Sequence, residues 1–159
     1  MSHIHIKKLQ FFIGYNFASL KILKQALTHR SANFYHNERL EFLGDAILNN
    51  IIAHILYVKF PLLNEGQMTR MRAILVCGEM LAKIAKKFDL GKYLFLGAGE
   101  IKSGGNKRTS ILAGVIEALI GGIYLDSDSI ETTRHLIFSW YKDELSNISL
   151  TKNLKDPKT

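Results

Sequence analysis

The stretch Asn37–Asn49, NERLEFLGDAILN, limits what this chain can become more than any other. Glu38, Glu41 and Asp45 recur on one side of it, and Leu40, Leu43 and Ile47 on another. On a helix turning 100° per residue, the three carboxylates fall within an arc of roughly 60°, with the aliphatic residues near the opposite side. The segment is therefore expected to be a helix that is half core and half acidic stripe. Like charges three and four residues apart repel, and the stripe contains no basic partner. A divalent cation such as Mg²⁺, a hard ion that takes oxygen ligands, accounts for the crowding. A solvated helix face is the plainer alternative.

Other positions join this helix to a fold and a chemistry. Pro61 and Pro157 are the only prolines, so nearly the whole stretch between them is free of helix breakers. Alternation with period two is scarce and 3.6-residue periodicity is common, which predicts an all-α chain. Helices are expected over 4–13, stopped at Gly14, and over 19–27. The acidic-striped helix should start near Asn37 and end at Pro61. Asn64 and Gln67 have capping-box spacing for the next helix. Further helices are expected over 78–88 and 110–124. A last one, carrying Trp140, should be capped by Asp128 and Glu131. Residues 97–108 read as a glycine-rich basic loop and 147–159 as a lysine-rich tail.

Glu117 lies inside ILAGVIEALIGGIYL, with apolar turns on both sides and Gly121-Gly122 permitting close approach of another helix. A carboxylate there is paired with a base, kept protonated, coordinated to metal, or turned out to solvent. If its helix packs against the acidic stripe, Glu41, Asp45 and Glu117 can converge on one ion. In the loop, Lys102, Lys107 and Arg108 among glycines can cradle phosphate, although no Walker pattern is present. A simple surface loop fits equally well. The six histidines have no metal-ligand spacing and read as surface or packing residues. Cys77 reads as an inert buried thiol.

A net charge of +7 at pI near 9.5 favours an anionic partner, nucleic acid before a membrane surface. The single cysteine excludes an intrachain disulfide and fits the cytoplasm. The start, MSHIHIKKLQFF, lacks the apolar core of a signal peptide, and the apolar run 111–125 is too short to span a bilayer.

NERLEFLGDAIL closely resembles the signature of the ribonuclease III family of double-strand-specific endoribonucleases. The resemblance continues through LTHRSAN, NEGQMTRMRA, LGAGEIKSGGNKR and EALIGGIYLDS, covering about residues 5–145. It implies an all-α, homodimeric nuclease domain over 1–146, and a linker at 147–159 toward an absent double-stranded-RNA-binding domain. It further implies Mg²⁺ (with Mn²⁺ as a substitute) held by Glu41, Asp45 and Glu117, with Asp45 and Glu117 closest to catalysis. The products would carry 5′-phosphate and 3′-hydroxyl ends. Glu38 and Glu65 match RNA-positioning acids, and Phe42 matches an aromatic knob at the dimer interface. One departure stands out: the family's Asp-x-x-Glu is here Gly114-Val115-Ile116-Glu117, so one ligand side chain is missing. Weaker metal binding and a more stable metal-free cluster are expected. A catalytically silent RNA-binding relative, or a dimeric scaffold, are the rival readings.

Overall fold

The computed structural model describes residues 2–149. Nine α-helices follow one another among them: α1 (His3–Ile13), α2 (Leu20–Ala26), α3 (Glu38–Lys59), α4 (Glu65–Val76), α5 (Gly78–Lys87), α6 (Ala98–Lys102), α7 (Thr109–Ser127), α8 (Ile130–Trp140) and α9 (Lys142–Ser149). Two short 3₁₀ turns, Leu90–Tyr93 and Gly105–Lys107, join α5 to α6 and α6 to α7. The only β feature among the described residues is an isolated bridge between Thr28 and Phe95. The chain is all-α, as the periodicity requires.

Helix α7 is the axis of the bundle. It packs most extensively on α3, then on α5, with α2 and α8 covering its remaining sides. Nearly every residue from Ile111 to Ile123 is buried, Glu117 being only half so. At 19 residues α7 is long and apolar enough to cross a membrane by length and composition. The shorter 111–125 estimate missed this because the helix continues into Thr109 and Ser127. Its apolar faces are covered by the surrounding helices, as in the central helix of a bundle.

Local chemistry explains most helix ends. Gly14 closes α1 in the left-handed conformation at φ 87°. Asn64 and Gln67 form the expected reciprocal capping box of α4. At α2 the chain leading into the helix is held from elsewhere. Ser19 makes no side-chain cap, and Asp126 near the end of α7 accepts the N–H groups of Ala18 and Ser19 at 2.8 Å and the Tyr15 hydroxyl at 2.6 Å.

Four expectations need correction. The 97–108 stretch is not open loop: α6 and a 3₁₀ turn form there, and Arg108 bonds Glu100 and Ser103 across it. Asp128 does not cap α8; it ends α7 at φ 50°, and the Ser129 side chain caps α8 instead. The tail begins later than residue 147, since α9 runs to Ser149; the rest of it, 150–159, lies outside the described residues. Cys77 is exposed rather than buried, because it occupies the junction between α4 and α5.

Candidate active site

The crossing of α3 and α7 builds the site. Side chains normally hold helix axes 8–10 Å apart, but here glycines let the backbones touch. A Cβ on Gly44 would overlap the carbonyl of Glu117, and one on Gly121 would strike the carbonyl of Leu40. This close approach sets Asp45, next to Gly44, against Glu117.

The carboxyl groups of Asp45 and Glu117 lie within hydrogen-bonding reach of each other. Burial pushes the Glu117 carboxyl up to about 8, and the hydrogen bond and negative charge of Asp45, with a further contribution from Glu41, push in the same direction. At neutral pH Glu117 is therefore the protonated partner and donates to Asp45. Asn49, one turn on, donates its amide to the backbone carbonyl of Asp45 at 2.9 Å and to its carboxylate at 3.4 Å. Glu41 is also raised, first by burial and then by the charges of Glu38 and Asp45.

Glu41 leans over Gly114. A Cβ at position 114 would lie 2.8 Å from Oε2 of Glu41, so this carboxylate uses space that any side chain at 114 would claim. Among the described residues no three acidic, histidine or cysteine side chains form a ready-made metal cage. The three carboxylates are electrostatic neighbours, with one pair in direct contact.

Of the three, Glu41 lines a cleft of about 260 Å³, together with His29, Arg30, Glu38, Ser110 and Gly114; Asp45 and Glu117 are not among its walls. Arg30 lies 3.7 Å from Glu38 across an exposed ion pair. The segment bearing His29 is pinned at the Thr28–Phe95 bridge, where His29 N–H donates to the Phe95 carbonyl at 2.9 Å. Ser31 N–H donates to His29 Nδ1 at 3.1 Å, and Gly97 N–H donates to the Ser31 hydroxyl at 2.9 Å. From spacing alone His29 reads as a surface or packing residue, and Arg30 and Ser110 carry no signal of a role. The polar run Thr28–Ser31 immediately before the acidic stripe was the available signal.

Other predicted residues lie apart. Glu65 opens α4, beyond the far end of α3; at 1.5 Å per residue, Lys59 is about 27 Å along the axis from Glu41. Lys107 lines a different cleft, with Lys86 and Lys92, and Lys102 is exposed at the end of α6. Arg108 is committed to Glu100, which makes it a brace of the α6–α7 connection. Phe42 projects from α3 beside Glu41 and is 81% exposed.

Comparison with known proteins identifies the family and the fold. The family described as Ribonuclease-III-like matches residues 19–145. Ribonuclease 3 of Buchnera aphidicola subsp. Acyrthosiphon pisum (strain Tuc7) is 59% identical over 159 residues, all of this chain and 70% of that protein. Its counterpart from Buchnera aphidicola subsp. Schizaphis graminum (strain Sg) is 58% identical over the same span. The crystal structure of the nuclease domain of ribonuclease III from Campylobacter jejuni superimposes with a TM-score of 0.85 at 36% identity, covering 91% of this chain and 97% of that one. A second structure of that domain, described for flexibility in a region involved in dimer formation, gives 0.84 at 37% identity, covering 87% and 96%. From the glycine-mediated helix crossing to the sequences of its relatives, the chain belongs to the ribonuclease III family of endoribonucleases.

Proposed function

We propose that this endoribonuclease cuts double-stranded RNA with the help of Mg²⁺ (or Mn²⁺) at Glu41, Asp45 and Glu117, leaving 5′-phosphate and 3′-hydroxyl ends. The observation that carries the reading is the direct Asp45–Glu117 contact at the α3–α7 crossing. The donor set fits a hard divalent ion: it is all oxygen, and like charge and burial have raised Glu117 and Glu41, strain that a cation relieves. When bound, such an ion supplies charge stabilisation at the phosphate and lowers the pKa of water in its shell.

The protein's own part is positioning and proton handling. Asn49 fixes Asp45, and Asp45 in turn fixes the Glu117 carboxyl. In hydrolysis a water oxygen bonds to phosphorus as the bond to the 3′-oxygen breaks, and that oxygen takes up a proton. Glu117, raised to about 8 beside Asp45, holds a proton near neutral pH and is suited to exchanging it with the reacting groups. Arg30 and Ser110 offer donors to phosphate oxygens along the cleft wall. The excess of basic residues attracts the duplex as a whole.

The working unit in this reading is a homodimer, with Phe42 entering the partner. Exposure of a large aromatic at 81% beside the site supports it. Glu38 stands at the mouth of the cleft as an RNA-positioning group. Glu65, at the start of α4 beyond the far end of α3, contacts RNA away from the scissile phosphate of its own subunit.

The test incubates the purified chain with duplex RNA and Mg²⁺, then adds chelator. Chelator-sensitive cleavage to short duplexes, abolished by Asp45→Ala, is expected. Binding without cleavage, unchanged by Asp45→Ala, would instead favour a silent RNA-binding relative, to which Gly114 lends support because it brings no carboxylate to the cluster.

A further inference from the structure

The carboxylate cleft has a basic neighbour on the other side of the segment joining α2 to α3. This second cleft, of about 520 Å³, is lined by Lys21, Lys24, Gln25, Thr28, Asn33 and Tyr35. Adjacent residues, Thr28 and His29, line one cleft each.

Its chemistry is one-sided, since no carboxylate lines it. Gln25 donates to the His36 carbonyl at 3.2 Å and Thr28 to the Lys24 carbonyl at 2.6 Å, so both are occupied in holding the segment against α2. Asn33 accepts the Tyr35 N–H through Oδ1 at 3.0 Å, which leaves its amide N–H groups as donors. Lys21 makes no ion pair among the described residues. The Lys24 ammonium lies 5.6 Å from the centre of the Phe95 ring, a contact that leaves its charge unneutralised. Two ammonium groups three residues apart on one helix face, about 5–6 Å between their Cβ atoms, can reach one sugar–phosphate strand. Tyr35, 77% exposed, adds a ring and hydroxyl at the edge, groups suited to a ribose. The cleft of Lys86, Lys92 and Lys107 is a poorer candidate, because Asp89 pairs with Lys92 at 2.9 Å inside it.

We infer that Lys21, Lys24, Asn33 and Tyr35 form a second phosphate-binding subsite, which grips the backbone of duplex RNA beyond the cleavage point. The inference rests on the duplex-RNA reading of the carboxylate cleft. The segment from Thr28 to Asn37 is then a shared wall, with the scissile phosphate on one side and the continuing strand on the other.

The test measures duplex-RNA affinity across a salt series, with chelator present to prevent cleavage. It compares the unaltered chain, Lys21→Ala/Lys24→Ala, and a control removing two equally exposed charges elsewhere, Lys59→Ala/Lys142→Ala. The first pair should weaken binding about tenfold or more at low salt and make the plot of log affinity against log salt shallower by about 1 to 2, as expected for two lost phosphate contacts. Lys21→Arg/Lys24→Arg should restore the slope, and the control pair should leave it nearly unchanged. If the unaltered chain binds duplex RNA and the two alanine pairs behave alike, the subsite is refuted while the duplex-RNA reading stands. If the unaltered chain shows no salt-dependent duplex binding, both fall.

Discussion

Gly44 and Glu117 touch through their backbones: the hydrogen on Gly44 that a side chain would replace points into the carbonyl of Glu117. The carbonyl belongs to the residue whose carboxyl must meet Asp45, so the fold and the site depend on one contact. Gly44→Ala should push α3 and α7 apart, because neither backbone can yield as a flexible side chain would. We expect a loss of about 3 kcal/mol or more, seen as a lower denaturation midpoint, with loss of RNA cleavage. Ala46→Ser, two residues on and exposed, should change stability by less than about 0.5 kcal/mol. A Gly44→Ala protein as stable as the parent would show that the helices have room to spare.

The Glu117 carboxyl makes metal-free stability depend on pH. Its value in the fold, about 8, exceeds that of an unfolded glutamate, near 4.5. Between these values the folded chain holds a proton that the unfolded chain has released, so stability falls as pH rises from about 4.5 to about 8. Glu117→Gln cannot ionise, and its melting temperature in chelator should exceed the parent's at pH 8 and converge with it near pH 5. Metal uptake should displace the same proton, so calorimetric affinity for Mg²⁺ should rise through pH 7–8. A parent and Glu117→Gln pair whose melting curves run parallel across this range would exclude the shift.

Gly114 offers a third measurement. Gly114→Asp would place a Cβ 2.8 Å from the Glu41 carboxylate, a mobile group that can swing aside toward the cleft. It would also add a fourth carboxyl, negatively charged, to Glu41, Asp45 and Glu117. The variant should melt lower than the parent in chelator, since repulsion outweighs the roughly 0.3 kcal/mol of helix propensity that Asp gains over glycine. It should bind Mg²⁺ more tightly by calorimetry and require less of it for cleavage. Unchanged Mg²⁺ affinity would mean that Glu41 or water already supplies what position 114 lacks.

How much of this was legible in the sequence varies with the range of the interaction responsible. The acidic stripe, the Asn64–Gln67 box and the Gly14 stop are local and read directly from spacing. Glu117 stood out because a carboxylate inside an apolar helix needs a partner; that the partner is Asp45 depended on the glycines at the crossing. His29, Arg30 and Ser110 were missed because a cleft joins residues that spacing cannot relate. Arg108 was assigned to phosphate on charge, whereas Glu100, eight residues earlier, already holds it. Cys77 was placed in the core by residue type, and the junction of two helices put it at the surface.

Asp126 is the last such case, a clamp on the chain before α2 supplied from over a hundred residues away. Ser19 would be the expected N-cap of α2, yet Asp126 accepts from the N–H groups of Ala18 and Ser19 and from the Tyr15 hydroxyl. Burial alone would raise its carboxyl; these three donors outweigh that and hold it below the usual value. Tyr15 is pushed up to about 12, first by burial and then by its bond to Asp126. Asp126→Ala should remove the bonds that hold Tyr15, Ala18 and Ser19 to α7, at a cost of about 2 kcal/mol. Asp126→Asn, which can still accept but carries no charge, should lose less. The signs at the two ends of the pH scale differ in origin. The stabilisation from Asp126 is present above the unfolded carboxyl value near 4 and is lost as pH falls through the lower folded value. That from Tyr15 is present below pH 10 and is lost as pH rises from 10 toward 12. Denaturation midpoints of the parent and Asp126→Ala should therefore differ most between about pH 5 and 9 and draw together on either side. A difference that stays constant from pH 3 to pH 11 would assign the effect to packing and not to the charged acceptor.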